Sequence, residues 1–259
     1  MTDFLDTLAR DVQETIDNGY YTNIEPIVET KLSLRKQIEN CIGNAVITEI
    51  KAASPSIGTL RGNINAEKVA YAMQQGGAVA ISVLTEPKHF SGSLDRLSKT
   101  REAVKTPILM KDFFLSPKQI DAAAGLGANA ILLIQALYDR EYGELGLDEM
   151  ISYAHSKNLE VLLETHTEQE FASALKSEAD LIGINNRNLS TLKIDLKTTE
   201  NILKKMGADG RIIVSESGIQ TPDDLLFLRK CGASAFLIGS SIMLTDNVEL
   251  KVKEFVNAK

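Results

Sequence analysis

Apolar residues along the chain fall into two alternating kinds of stretch. Eight short runs, at 46–51, 79–85, 108–112, 130–134, 161–165, 181–185, 211–215 and 235–238, are nearly continuously apolar. Strands of a parallel sheet covered on both faces have this pattern. Between them lie segments whose apolar residues recur at three- and four-residue spacing, which predicts helices over 66–75, 94–104, 117–126, 144–157, 168–176, 196–206 and 223–230. Ser116-Pro117 and Thr221-Pro222-Asp223 are helix starts, with a cap followed by proline in the first turn. Gly76-Gly77, Gly127 and Gly232 are helix ends ahead of the next strand. Eight strands alternating with helices predict an α/β fold, a (β/α)8 TIM barrel, with a doubly wound open sheet as the competing arrangement.

The first 45 residues precede the barrel pattern. Residues 3–18 predict a helix with Phe4, Leu5, Leu8, Val12 and Ile16 on one stripe, and 32–44 a second. With no linker or low-complexity segment, the expectation is one barrel domain over 1–259, with 1–45 as a helical N-terminal extension capping it. Patterning does not say which end the cap covers.

Composition narrows the classes. With 259 residues, 44% hydrophobic and 24% charged, the chain has the size and balance of one soluble barrel. That length argues against fusion with a second enzyme. A formal net charge of −7 and no basic run argue against nucleic acid as partner. An anionic small molecule remains compatible, because a pocket can be locally positive. No signal peptide or membrane span is expected, since the first ten residues lack an apolar core and no stretch approaches 18 apolar residues. Cys41 and Cys231 show no metal or redox spacing and read as buried small hydrophobes in a reducing cytoplasm.

In a barrel of this kind the C-terminal strand ends face the active site. The polar residues there include Glu49 and Lys51, two apart and so on one face, then Lys111-Asp112, Glu164, Asn185-Asn186-Arg187 and Glu216-Ser217-Gly218. Two lysines and three glutamates therefore converge, a cluster suited to acid–base catalysis. A ring of salt bridges closing the barrel mouth is the structural alternative. The glycine turns Ser217-Gly218 and Gly239-Ser240-Ser241 suggest a phosphate cradle of backbone N–H groups and a helix N-terminus. Glycine there is expected to let the phosphate approach the backbone.

The segments Glu49-Ile-Lys51-Ala-Ala-Ser54-Pro55-Ser56, Ile108-Leu-Met-Lys111-Asp112-Phe113, Gly183-Ile-Asn185-Asn-Arg187-Asn-Leu189, Val214-Ser-Glu216-Ser217-Gly218-Ile219 and Leu237-Ile-Gly239-Ser240-Ser241 resemble the signatures of the indole-3-glycerol-phosphate synthase family. So do Ser82-Val-Leu-Thr-Glu86 and Phe90-Ser-Gly-Ser93. The resemblance runs from about Thr30 to the end and includes every predicted strand. It implies conversion of 1-(2-carboxyphenylamino)-1-deoxyribulose 5-phosphate into indole-3-glycerol phosphate in tryptophan biosynthesis, with loss of carbon dioxide and water. It implies no metal and no organic cofactor, and a phosphorylated small molecule as the partner.

By the same resemblance, Lys111 is the acid at the sugar ketone and Lys51 a second cationic contact to substrate and phosphate. Glu164 is the general base, Glu49 a supporting carboxylate, and Glu216 a residue that hydrogen-bonds substrate or holds a lysine. Asn185, Arg187 and Ser56 match positions at the anthranilate carboxylate. Lys51, Gly218, Gly239 and Ser240 match the phosphate site, with Ser217 beside them, and Phe90, Phe113, Leu132 and Leu189 the walls of the aromatic pocket. One departure is Ala52, where the family commonly carries a basic residue. His89, His155 and His166 lie apart in sequence and read as surface or structural residues.

Two other readings remain. Another phosphate-binding barrel enzyme, such as a phosphoribosylanthranilate isomerase, relies on a cysteine–aspartate pair, and neither cysteine sits at a predicted strand end. A non-catalytic binder of a phosphorylated ligand predicts losses among Lys111, Glu164 and Glu49, and all three are present. A monomer is the expected state.

Overall fold

A computed structural model describes residues 4–27, 31–51, 53–54, 58–59, 65–189 and 191–259. Helices α1 (Phe4–Asp17) and α2 (Leu34–Glu39) lead into β1 (Ala45–Ile50). Two short antiparallel strands follow, β2 (Ala53–Ser54) and β3 (Gly58–Thr59). The chain then runs through α3 (Ala66–Gln75), β4 (Ala80–Leu84), α4 (Leu94–Ala103), β5 (Ile108–Lys111) and α5 (Pro117–Gly125). Next come β6 (Ala130–Ile134), α6 (Gln135–Asp139), α7 (Leu147–Ser156), β7 (Glu160–Thr165) and α8 (Glu168–Ala174). The last third holds β8 (Leu181–Asn185), α9 (Lys197–Met206), β9 (Ile213–Glu216), α10 (Pro222–Lys230), β10 (Ala235–Ile238), α11 (Ser240–Met243) and α12 (Val248–Val256).

Eight strands pair in parallel and close on themselves in the order β1, β10, β9, β8, β7, β6, β5, β4. This is the (β/α)8 barrel, and closure excludes the open sheet. The start signals act as expected. Ser116 and Gln119 form a reciprocal capping box at α5, and Thr221 and Asp224 do the same at α10. Strand ends differ from the pattern by a residue or two. The strand expected at 211–215 is Ile213–Glu216, which brings Glu216 onto the sheet.

The layering inside the barrel follows from strand alternation. Two residues below Glu49, Lys111, Glu164 and Glu216 stand Ile47, Leu109, Leu162 and Val214, all fully buried. A polar mouth thus rests on an apolar floor. Leu132 belongs to that floor, with no exposed surface.

The extension is not a cap on one end. Phe4 and Leu8 of α1 reach the cavity at the C-terminal mouth, and salt bridges from Asp6 to Arg140, Asp11 to His89 and Glu14 to Lys88 pin α1 there. The second segment serves the opposite end. α2 is shorter than the expected 32–44, and at its start Ser33 Oγ and the Arg35 N–H donate to Glu160, the first residue of β7. At the foot, the Asn44 amide donates to the carbonyls of Phe255 and Ala258 while its oxygen accepts from Arg229. The last helix is thereby fastened to the start of the first strand.

Candidate active site

The strand ends bring together nearly all the residues expected there. Glu49, Lys51, Phe90, Lys111, Phe113, Glu164, Asn185, Arg187, Leu189, Glu216, Ser217, Gly218, Gly239 and Ser240 line one cavity of about 420 Å³. That is a small-molecule volume. Leu132 is absent from the lining, and Ile134 occupies the wall instead. Both face inward, but two residues of strand separate them by about 7 Å, which places Leu132 in the layer below. Ser56 and Ala52 lie outside the described residues.

The charged groups form two linked clusters. Lys51 Nζ lies 2.8 Å from Glu49 Oε1. Lys111 Nζ lies 3.4 Å from Glu164 Oε2 and 4.0 Å from Glu216 Oε2. Burial pulls the Lys111 ammonium down, but the carboxylates of Glu164, Glu216 and Glu49 outweigh it and hold its pKa above the ordinary lysine value. Burial likewise pushes Glu164 up, yet Lys111 foremost, with His166 and Asn185, keeps it well below the usual carboxylate range. For Glu49 burial is overcome by Lys51 and Lys111, and its pKa is lowered.

Glu216 behaves in the opposite sense. Burial and the neighbouring Glu164 charge raise it well above the ordinary value, and Lys111 only partly opposes them. Neither carboxyl oxygen of Glu216 has a hydrogen-bond partner, although the side chain is buried. Two carboxyls that share a site do not both ionise readily, and of this pair Glu216 is the one pushed toward its protonated form. The cavity lining sets the cations Lys51, Lys111 and Arg187 among the acidic side chains of Glu49, Asp112, Glu164 and Glu216.

Glycine matters for a reason other than the one expected. A Cβ on Gly239 would meet Glu49 Oε1 at 2.6 Å, and one on Gly183 would meet Glu216 Oε1 at 2.3 Å. These two positions make room for carboxylates. At Gly218 the backbone has φ +87, and a Cβ would meet Ile194 Cγ2 at 2.5 Å. Ser217 just before it is also left-handed, with φ 66. The loop after β9 is held to the one after β10 by Ser241 Oγ, which donates to the Ile219 carbonyl. The first turn of α11 carries no side-chain cap.

Neighbouring polar residues are structural. The Asn186 amide donates to Ser215 Oγ and to the carbonyls of Glu216 and Ser217, fixing β8 against β9, while Asn185 faces the cavity. Glu86 accepts the backbone N–H groups of Lys88, His89 and Phe90, which shapes the loop presenting Phe90. The Phe90 and Phe113 rings lie 5.7 Å apart at 41° and form an aromatic wall. Asp112 accepts from Tyr21 and Thr85, and burial raises its pKa to about 7. Cys41 and Cys231 are half-buried rather than buried, and neither lines the cavity. Among the described residues, no group of three or more His, Cys, Asp or Glu is placed to hold a metal ion, and no helix is long and apolar enough to cross a membrane.

One residue at the site departs from the sequence reading. His89 and His155 pair with Asp11 and Asp180 near the surface, as expected of structural histidines. His166 does not: its side chain is only 7% exposed and its Nε2 lies 3.2 Å from Glu164 Oε1. Strand alternation did not mark it, because β7 ends at Thr165 and His166 does not line the cavity.

A closed barrel whose mouth gathers lysines and carboxylates around an aromatic-walled cavity defines a (β/α)8-barrel enzyme acting on an anionic small molecule. The chain belongs to the indole-3-glycerol phosphate synthase family, whose model matches residues 10–255. It is 48% identical over 231 residues to the indole-3-glycerol phosphate synthase of Methanocaldococcus jannaschii, covering 87% of this chain and 84% of that one. The enzyme of that name from Aquifex aeolicus is 37% identical, with 98% of both chains covered. Among solved structures, a thiamine phosphate pyrophosphorylase from Pyrococcus furiosus superposes with a TM-score of 0.60 at 17% identity, covering 86% of this chain and 96% of that one. That likeness concerns the fold alone.

Proposed function

We propose that the chain is an indole-3-glycerol-phosphate synthase that closes the pyrrole ring of 1-(2-carboxyphenylamino)-1-deoxyribulose 5-phosphate. The observation that carries this reading is the convergence of Lys51, Lys111, Glu49, Glu164 and Glu216 on one aromatic-walled cavity, within a chain of this family. The phosphorylated substrate brings two anionic ends, and Lys51, Lys111 and Arg187 offer the cavity cations for both. Arg187 and Asn185 take the anthranilate carboxylate. Lys51, with the backbone at Gly218, Gly239 and Ser240, takes the phosphate. Phe90, Phe113 and Leu189 pack on the ring.

In condensation, the ring carbon bearing the carboxylate attacks the sugar ketone, and the ketone oxygen takes a proton from Lys111. The developing charge on that oxygen is what a buried ammonium stabilises. Carbon dioxide then leaves, and its bonding electrons restore aromaticity. In dehydration the new hydroxyl departs as water with a proton from a lysine, while Glu164 removes the proton from the adjacent sugar carbon. Glu164 suits this role because Lys111 keeps it ionised. Glu49 holds Lys51 in place, and Glu216, carrying its own proton, hydrogen-bonds the substrate. We further read residues 1–259 as one domain with 1–45 as its extension, monomeric and cytoplasmic.

Purified protein mixed with this substrate, with no metal added, is expected to develop indole fluorescence. Lys111→Ala should stay folded and lose about 10²- to 10⁴-fold in turnover. No product from the unaltered protein overturns the function, and full turnover by the variant removes Lys111 as the acid.

A further inference from the structure

Glu164 and Glu216 pose a question that Lys111 alone does not answer. Both carboxyls are buried and both lie within 4.0 Å of the same ammonium. Lys111 is somewhat nearer Glu164, but a flexible lysine serves either oxygen. What distinguishes the two is on the far side. Neither Glu216 oxygen has a hydrogen-bond partner, whereas Glu164 is held by Asn185 and presents its second oxygen, Oε1, to His166 Nε2 at 3.2 Å. The imidazole is in turn anchored. Its Nδ1 lies 3.3 Å from Glu170 Oε2, and the same oxygen accepts the His166 backbone N–H at 2.8 Å. Glu170 is itself fixed at the start of α8 by Thr167, whose hydroxyl donates to its Oε1.

We propose that His166 is a positioning residue for the reaction: bridging Glu164 and Glu170, it aims the Glu164 carboxylate at the substrate. This rests on Glu164 being the base of the proposed function. The Nε2–Oε1 contact joins carboxylate and ring by charge as well as hydrogen bonding. That requires an imidazolium. Burial alone lowers the His166 pKa, but Glu164 and Glu170 on either side raise it to about 9. Glu164 from β7 and Glu170 from α8 face the ring, while Lys111 of β5, Glu216 of β9 and Glu49 of β1 stand beyond Glu164. Below pH 9 the ring is charged and the clamp is closed. As pH rises through that value, the ring becomes neutral and Glu164 loses one of the groups that hold its pKa down.

The alternative is that His166 and Glu170 merely cap α8. Two measurements separate the roles. In the ligand-free enzyme, imidazole NMR should show His166 protonated past pH 8, with its midpoint falling by a unit or more in both E164Q and E170Q. In turnover, H166A and H166Q should lower kcat by about 10- to 100-fold, as expected when a reacting group is misaimed. KM should stay within about threefold, because the phosphate and carboxylate contacts are untouched. H166Q should recover part of the H166A loss, yet lack the decline of kcat near pH 9 that the unaltered enzyme shows. A midpoint unmoved by E164Q, or H166Q with unaltered kcat and alkaline limb despite a changed melting temperature, overturns the proposal in favour of the cap. If H166A fails to fold, E170Q supplies the kinetic arm, with a smaller fall in kcat and the alkaline limb moved to lower pH. If the unaltered enzyme makes no indole product, the proposed function fails, while the titration still decides whether His166 is coupled to Glu164.

Discussion

At the residue scale, the mouth of the barrel is organised by where protons are held. Lys111 holds the Glu164 pKa down, and burial beside Glu164 raises that of Glu216. This has a consequence for stability. A carboxyl whose folded pKa is raised contributes favourably below its unfolded value, and that contribution is lost as pH rises toward the folded value. Glu216→Gln removes the titration while keeping the shape. The variant is expected to gain on the unaltered enzyme by up to about 1.4 kcal/mol per pH unit across that window. Its turnover should nonetheless fall by about tenfold or more, because the substrate loses a buried proton donor. Urea midpoints at pH 5 and pH 8 test the sign, and a stability gap that stays constant between them counts against a neutral Glu216. Much of the mouth was legible in the chain, since Glu49 and Lys51 share a face by alternation alone. Gly183 was not, because its meaning is a missing Cβ against Glu216, a residue 33 positions away.

At the scale of elements, periodicity located the long helices and the buried strands well. It missed those too short to complete a pattern: α6, α11 and the β2–β3 pair. It also missed α12, which packs chiefly on α3 and β1, far from it in sequence. The extension shows the same limit. The stripe on α1 marks an apolar face but does not name the surface it meets, and the structure sets Leu8 over the cavity with 1% of its surface exposed. Leu8→Ala should therefore act twice. It should destabilise the fold by about 2–4 kcal/mol, as a buried truncation does. It should also raise KM by about fivefold or more through a loosened roof over the substrate ring. Thermal melts and steady-state kinetics check both, and an unchanged KM would show that α1 only packs.

At the scale of the whole molecule, chemistry and closure occupy opposite ends of the barrel. The mouth carries buried charges that are poor for stability, and the foot carries fully satisfied polar contacts. Asn44 is the clearest of these, joining β1, α10 and the end of α12. Asn44→Ala is expected to lower stability by about 2–4 kcal/mol, since it strands several buried groups at once. It should leave kcat/KM within about twofold, and a large activity loss without a stability loss would contradict this separation of roles. The chain by itself determined the barrel, because eight apolar runs alternating with amphipathic helices have few other ways to bury their surfaces. It also determined which polar types stand at the strand ends, because alternation and strand direction are local properties. Only the tertiary structure decided that Leu132 is floor rather than wall, that the two parts of the extension serve opposite ends, and that His166 stands beside Glu164. Depth within a barrel, choice of packing partner and the sharing of a proton between buried groups all depend on distances across the fold, and no periodicity along the chain encodes them.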